Sequence, residues 1–267
     1  MVWHGNATGR RTARKPRVKV RTVTVDFWGT LIMDSPAGDE RYEGRRLSGF
    51  APILREHGVE FSAIQLSRAY AQSGEFIRKV WSTGRDVPVL EPVKEILRAL
   101  DDTLPQRASP ETLAALVDAY VRPILLVPPT VDRGARAALE RLRDAGIALA
   151  IVSNTMRTPG VTLRTLLAKF QILECFDHIV FSDEVGVRKP RPEIFQAALR
   201  AVGGEPATTV HVGDDPVLDV HGARAAGLKT IQIVGHGADA PPAAERPDRT
   251  ITQLEELPAA IAALEAE

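Results

Sequence analysis

Short apolar runs recur along this sequence, and most of them deliver a polar residue at their carboxyl end. They read "VTVD" at 23–26, "IALAIVSN" at 147–154, "HIVFS" at 178–182, "TVHVGDD" at 209–215 and "KTIQIVG" at 229–235. Amphipathic stretches of helical spacing separate the later runs. "DRGARAALERLRDAG" has Asp132 as its N-cap and Gly146 just past its end. A second stretch covers 161–170, "PEIFQAALRAV" starts at Pro192, and "DVHGARAAG" follows the fourth run. Short apolar strands alternating with helices predict a doubly wound, Rossmann-like parallel sheet with both faces covered. Ligands of such sheets bind beyond the carboxyl ends of the strands, which is where the polar residues collect.

Residues 34–127 break this alternation. In "FSAIQLSRAYAQSGEFIRKVW" the apolar residues Leu66, Ala69, Tyr70, Phe76, Ile77, Val80 and Trp81 fall mainly at helical spacing. "SPETLAALVDAYV" opens on a cap residue, Ser109, with Pro110 at the first helical position. Val93, Ile96, Leu97 and Leu100 mark a shorter amphipathic helix. At least four helices and no strand are expected here. The chain therefore divides into a basic tail over 1–19, an α/β core over 20–33 and 128–267, and an all-helical cap over 34–127 inserted after the first strand.

Charge and composition exclude several classes of function. Basic and acidic residues balance at 34 each, so nothing in the net charge calls for a polyanionic partner such as nucleic acid. Seven of the basic residues fall within 1–21, which contains no acid; the tail reads as a disordered extension, ahead of a transit peptide or a nucleic-acid arm. It lacks the apolar stretch of a secretory signal, and no run approaches the ~20 residues of a membrane span. Cys175 is the single cysteine, beside Phe176, and reads as packing; an intramolecular disulfide is impossible, and a reducing cytoplasmic setting is expected.

Four strand-end clusters carry the chemistry. Asp26 leads into Trp28-Gly29-Thr30; Ser153-Asn154 ends the second run; Lys189 lies in "GVRKPRPEIF"; Gly213-Asp214-Asp215 ends a later run, with Asp219 four residues beyond. In order and spacing these resemble the four motifs of the haloacid dehalogenase superfamily, in the subgroup with a helical cap after the first motif. The resemblance covers about 20 to 260 and includes the bridging sequence "FDHIVFSDEVGVRKPRPEIF". It implies Asp26 as nucleophile and Mg²⁺ bound by Asp26, the backbone carbonyl of Trp28, and Asp214. Asp215 or Asp219 would orient metal-bound water or Lys189. Ser153, the N–H of Asn154 and Lys189 would hold phosphate oxygens, with Arg157 and Trp28 as further contacts to a small phosphorylated substrate. The residue types suit this: a carboxylate nucleophile forms a covalent intermediate, and clustered carboxylates repel one another unless a cation intervenes.

One position departs from the phosphatase pattern. A second aspartate usually stands two residues after the nucleophile, protonating the leaving group and activating water, and here that place holds Trp28. General acid–base help contributes roughly 10²–10⁴-fold, about 3–5 kcal/mol, and an indole cannot supply it. Three readings follow. The first is a Mg²⁺-dependent phosphohydrolase whose acid is replaced by Asp34, by a cap residue or by a good leaving group. The second is a 2-haloacid dehalogenase, which needs neither acid nor metal but does not keep a Gly-Asp-Asp cluster. The third is a catalytically silent binding domain, which would have no need for the full set of motifs. A phosphonate-cleaving variant would require a cap lysine, Lys79 or Lys94. Arg41, Arg45 and Arg46 are read as solvated helix residues, any of which could touch substrate across the cap. His57, His211 and His221 show no zinc spacing.

Overall fold

The computed structural model describes residues 19–33, 38–235 and 246–266. Residues 1–18 of the expected tail, the candidate acid Asp34 and most of the Pro/Ala-rich 238–247 loop lie outside the described residues. Six parallel strands form one sheet: β1 (Thr22–Val25), β4 (Ala148–Ser153), β5 (His178–Phe181), β6 (Thr209–Gly213), β7 (Lys229–Ile233) and β8 (Arg249–Ile251). Their order is β5-β4-β1-β6-β7-β8, so β1 is central and the chain turns first to one side, then to the other. The register sets Val25 beside Ile151 and Val212, which aligns the ends of β1, β4 and β6. That reversal of strand order opens the crevice in which open α/β sheets bind ligands.

Period-two alternation covers both faces. Leu149 and Ile151 join Val23, Val25, Val210 and Val212 on one face, beneath helices Ala135–Asp144, Gly160–Lys169 and Leu257–Glu265. Ala150 and Val152 face the other way, against Ile194, Phe195, Ala198 and Leu199 of helix Pro192–Val202. The first strand starts one residue before its sequence run and stops at Val25, because Thr22 to Val25 pair on both sides. Asp132 also departs from expectation: Gly134 is the N-cap, and the Asp132 carboxylate accepts from the Gly134 N–H at 2.8 Å.

Two very short antiparallel strands, β2 (Ile32–Met33) and β3 (Thr130–Val131), flank the excursion into the helical segment. The segment contains α1 (Gly38–Glu56), α2 (Ala63–Trp81), α3 (Leu90–Leu100) and α4 (Pro110–Val121), with short turns between. Ser62 forms a capping box with Gln65, and Ser109 caps α4. Phe50, Leu54, Leu66, Tyr70, Ile96, Leu97, Leu116 and Tyr120 build a second apolar cluster, separate from those on the sheet. Arg46 corrects the solvated reading. It is 2% exposed and donates from Nε to the Tyr120 carbonyl at 2.9 Å and from Nη1 to the Tyr70 hydroxyl at 2.7 Å.

Candidate active site

Asp26 stands immediately past β1, 5% exposed, its N–H held by the Val212 carbonyl at 2.8 Å. The chain then folds on itself: the N–H groups of Leu31 and Ile32 both donate to the Phe27 carbonyl, and Gly29 takes φ +73°. A side chain at Gly29 would put its Cβ 2.3 Å from Asp214 Oδ2, so this turn requires glycine both for its conformation and for the approach of Asp214. Oxygens of Asp26, Asp214 and Asp219 lie within 4.8 Å of one another.

Lys189 is sealed among them. Its Nζ donates to Asp26 Oδ1 at 2.5 Å and to Asp219 Oδ1 at 2.6 Å, and its side chain is 2% exposed. Asp219 also receives the Asp215 N–H on Oδ2 at 3.0 Å, and His211 Nε2 stands 3.0 Å from its Oδ1. The Thr24 hydroxyl is 2.8 Å from His211 Nδ1. Burial lowers the imidazole pKa. An ionised Asp219 can only accept, so neutral His211 carries its proton on Nε2 and accepts from Thr24. A buried chain thus runs Thr24, His211, Asp219, Lys189, Asp26.

Charge in this cluster does not balance. Three carboxylates share one ammonium. Burial raises Asp26 to about 7 despite Lys189, with Asp219 and Asp214 adding to the rise. Burial and Asp219 raise Asp214 to about 6. Against burial, Lys189 and His211 hold Asp219 well below the usual carboxylate range. Burial opposes ionisation of Lys189, but Asp219 and Asp26 outweigh it and raise its pKa.

The other sequence candidates separate. Ser153 is fully buried at the end of β4. Asn154 uses both ends of its amide on the backbone of Lys189: Oδ1 accepts the Lys189 N–H at 2.7 Å, and Nδ2 donates to the Lys189 carbonyl at 3.1 Å. Asp215 Oδ1 accepts from the N–H groups of Val217 and Leu218, each at 2.8 Å, so its carboxylate caps the turn at Pro216–His221 and stands apart from the three clustered carboxylates. Arg157 reaches into the helical segment, donating to Ser73 and Tyr120 hydroxyls and lying 4.1 Å from the Tyr70 ring centre. Trp28 packs edge-on against Phe27, and its Nε1–H is buried without an acceptor among the described residues. Lys79 is exposed and Lys94 pairs with Glu91, so neither is placed as an imine-forming amine.

A family model described as haloacid dehalogenase-like hydrolase matches residues 20–227. Haloacid dehalogenase-like hydrolase domain-containing protein 3 of Mus musculus is 31% identical over 232 residues, 82% of this chain and 84% of its own. The glyceraldehyde 3-phosphate phosphatase of Pyrococcus furiosus is 33% identical over 215 residues, 80% of each chain. Among solved structures, a 2-haloacid dehalogenase from Pseudomonas syringae pv. Tomato superposes with a TM-score of 0.66 over 91% of this chain and 99% of its own. Its sequence identity is 20%, so the likeness shows the fold alone.

Proposed function

The chain belongs to the haloacid dehalogenase-like hydrolase family, and from that premise we propose a Mg²⁺-dependent phosphohydrolase acting on a small phosphorylated metabolite. The supporting observation is the surplus of carboxylates over positive charge: half-buried Asp214 stands beside Asp26, while the cluster's one ammonium is already shared with Asp219. The donor set suits a hard divalent cation, which takes carboxylate and carbonyl oxygens and keeps several waters. Asp26, Asp214 and the Trp28 carbonyl would hold it. When bound, it supplies positive charge to the phosphoryl oxygens. Asp219 is fully engaged by Lys189, His211 and the Asp215 N–H, and serves Lys189 from behind.

In this reading an Asp26 oxygen attacks phosphorus as the bond to the leaving oxygen breaks, giving an aspartyl-phosphate. Water then attacks phosphorus, the bond to Asp26 breaks, and inorganic phosphate leaves with the carboxylate restored. Lys189 offsets repulsion between the carboxylate and the incoming dianion. Ser153 and the Asn154 N–H orient phosphate oxygens, and the helical segment over 34–127 acts as the cap that selects the organic part. Trp28 gives no proton, so the leaving oxygen departs carrying its own charge. Acyl and aryl phosphates fit that requirement better than alkyl esters. The phosphatase names of relatives such as the Pyrococcus furiosus protein accord with a phosphorylated substrate.

Trp28 also favours a second reading, halide displacement from a 2-haloacid, which needs neither proton nor metal. Turnover of p-nitrophenyl phosphate, acetyl phosphate and 2-chloropropionate, each with Mg²⁺ and with chelator, separates the readings. Phosphate release that requires Mg²⁺ and vanishes in Asp26→Asn is expected. Chloride release that persists in chelator would replace it with the dehalogenase, and no turnover of any of them would leave a silent binding domain.

A further inference from the structure

Where the chain leaves α2 it buries a second carboxylate, outside the cluster at Asp26. The Asp86 side chain is 4% exposed. Its Oδ1 accepts from Trp81 Nε1 and from the Val87 N–H, each at 2.9 Å. Its Oδ2 accepts from Arg188 Nη1 at 2.5 Å, from the Ser182 hydroxyl at 2.5 Å and from the Thr155 hydroxyl at 3.2 Å. Arg188 donates to the Thr155 carbonyl at 2.6 Å and lies 4.1 Å from the Trp81 ring centre. Backbone bonds close the joint on either side: the Asp86 N–H to the Gly186 carbonyl, and the Arg188 N–H to the Gly84 carbonyl.

A buried ion pair adds little net stability, because desolvation offsets attraction, and an apolar pair would hold the two parts together as well. What this pair adds is orientation, and its partners show what is oriented. Thr155 directly follows Ser153-Asn154, and Arg188 directly precedes Lys189. The Asn154 amide already clamps the Lys189 backbone from both sides. One carboxylate carried by the helical segment therefore anchors the phosphate-holding loop and the lysine loop together. We propose that Asp86 is a positioning residue: the two loops take their working geometry when the helical segment is docked and Asp86 is seated between Thr155, Ser182 and Arg188. The catalytic half of this inference rests on the hydrolase reading above; the coupling between Asp86 and the loops does not.

Hydrogen exchange and kinetics on the full chain test it, with Asp86→Asn and Trp81→Phe compared with the native protein. Trp81→Phe removes one donor to Oδ1, lies outside both loops and remains informative if Asp86→Asn does not fold. In Asp86→Asn, peptides covering 153–156 and 186–190 are expected to exchange ~100-fold faster, with a smaller change at the same peptides in Trp81→Phe and none in β7. With p-nitrophenyl phosphate and Mg²⁺, kcat should fall at least ~10-fold at temperatures where each variant is fully folded. Unchanged exchange at those loops, uniformly faster exchange across the sheet, or loosened loops with native kcat would each overturn the proposal. A native protein that hydrolyses no phosphate ester would remove the phosphohydrolase reading, while the exchange pattern would still decide the coupling.

Discussion

Replacing Lys189 by methionine removes the ammonium that Asp26 and Asp219 share and keeps a stem of similar length. The native side chain is 2% exposed and meets two carboxylates at 2.5 and 2.6 Å. Deleting one partner of a buried pair costs about 3–5 kcal/mol, and the carboxylates can reduce that cost by taking up protons. Asp26 lies at about 7 even with Lys189 present, against an ordinary value of 3.8. A folded-state pKa above the unfolded one contributes stability that is complete below pH 3.8 and is lost as pH rises through 7. Between about pH 5 and 8 this amounts to about 2–3 kcal/mol in the metal-free native protein. Asp219 works in the opposite sense: Lys189 holds it low, so its contribution is present above the ordinary value and lost in acid. Lys189→Met abolishes the second contribution and enlarges the first. Urea unfolding in chelator should therefore show a loss of stability at both pH values, because the Asp219 contribution is present at each. The loss should be larger, near the full 3–5 kcal/mol, at about pH 8 than near pH 5, where the carboxylates relieve part of it by holding protons. Turnover of p-nitrophenyl phosphate with Mg²⁺ should fall about 10²–10³-fold, as for loss of one preorganised charge. An equal stability loss at both pH values would show that the carboxylates do not feel this ammonium, and a rate change under about tenfold would place Lys189 away from the reacting phosphate.

Other outcomes follow from the same cluster. Mg²⁺ should raise the urea midpoint of the native protein by mass action, more at pH 8 than at pH 5, where Asp26 (about 7) and Asp214 (about 6) still hold protons; equal gains at both would contradict binding through these carboxylates. Gly29→Ala puts a Cβ into the Asp214 carboxylate at φ +73° and should cost about 1–3 kcal/mol of stability and weaken Mg²⁺ binding, measured by calorimetry; native affinity would show that Asp214 is not a ligand. Native rates should rise steeply as the leaving group becomes more acidic, and Trp28→Asp should flatten that dependence, with a gain for alkyl esters bounded by roughly 10²–10⁴. Alkyl and aryl esters cleaved equally fast by the native protein would mean that an acid elsewhere supplies the proton.

The alternation of strands and helices was enough to bring Asp26, Ser153, Lys189 and Asp214 to one edge of the sheet, because a parallel sheet sends every strand end the same way. Which polar group meets which was less legible, for reasons that differ by residue. Asp215 carries a local signal of its own: an aspartate directly before Pro216 reads as an N-cap followed by proline at the first helical position, and its carboxylate does cap that turn. His211 was also within reach. In "TVHVG" it alternates away from Val210 and Val212, as Thr24 does from Val23 and Val25 in "TVTVD", and β1 and β6 pair these two residues directly. Asp86 and Arg188 carried no such signal. They are 102 residues apart, one in the helical segment and one in the sheet domain, and nothing local to either predicts the meeting. Arg46 was hidden by its neighbours Arg41 and Arg45, since three arginines on one helix read as a solvated face until the packing of Tyr70 and Tyr120 separates them.

Trp28 is the residue whose meaning changed least between sequence and structure. An indole in place of a carboxylic acid removes proton transfer but not hydrogen bonding, and its buried N–H has no acceptor among the described residues. A buried donor without a partner costs about 1–3 kcal/mol. A leaving oxygen that departs with its own negative charge needs a donor and not an acid. Of the expected readings, a phosphohydrolase specialised for good leaving groups is the one in which Trp28, the paired Lys189 and the Asp214 carboxylate all have work to do.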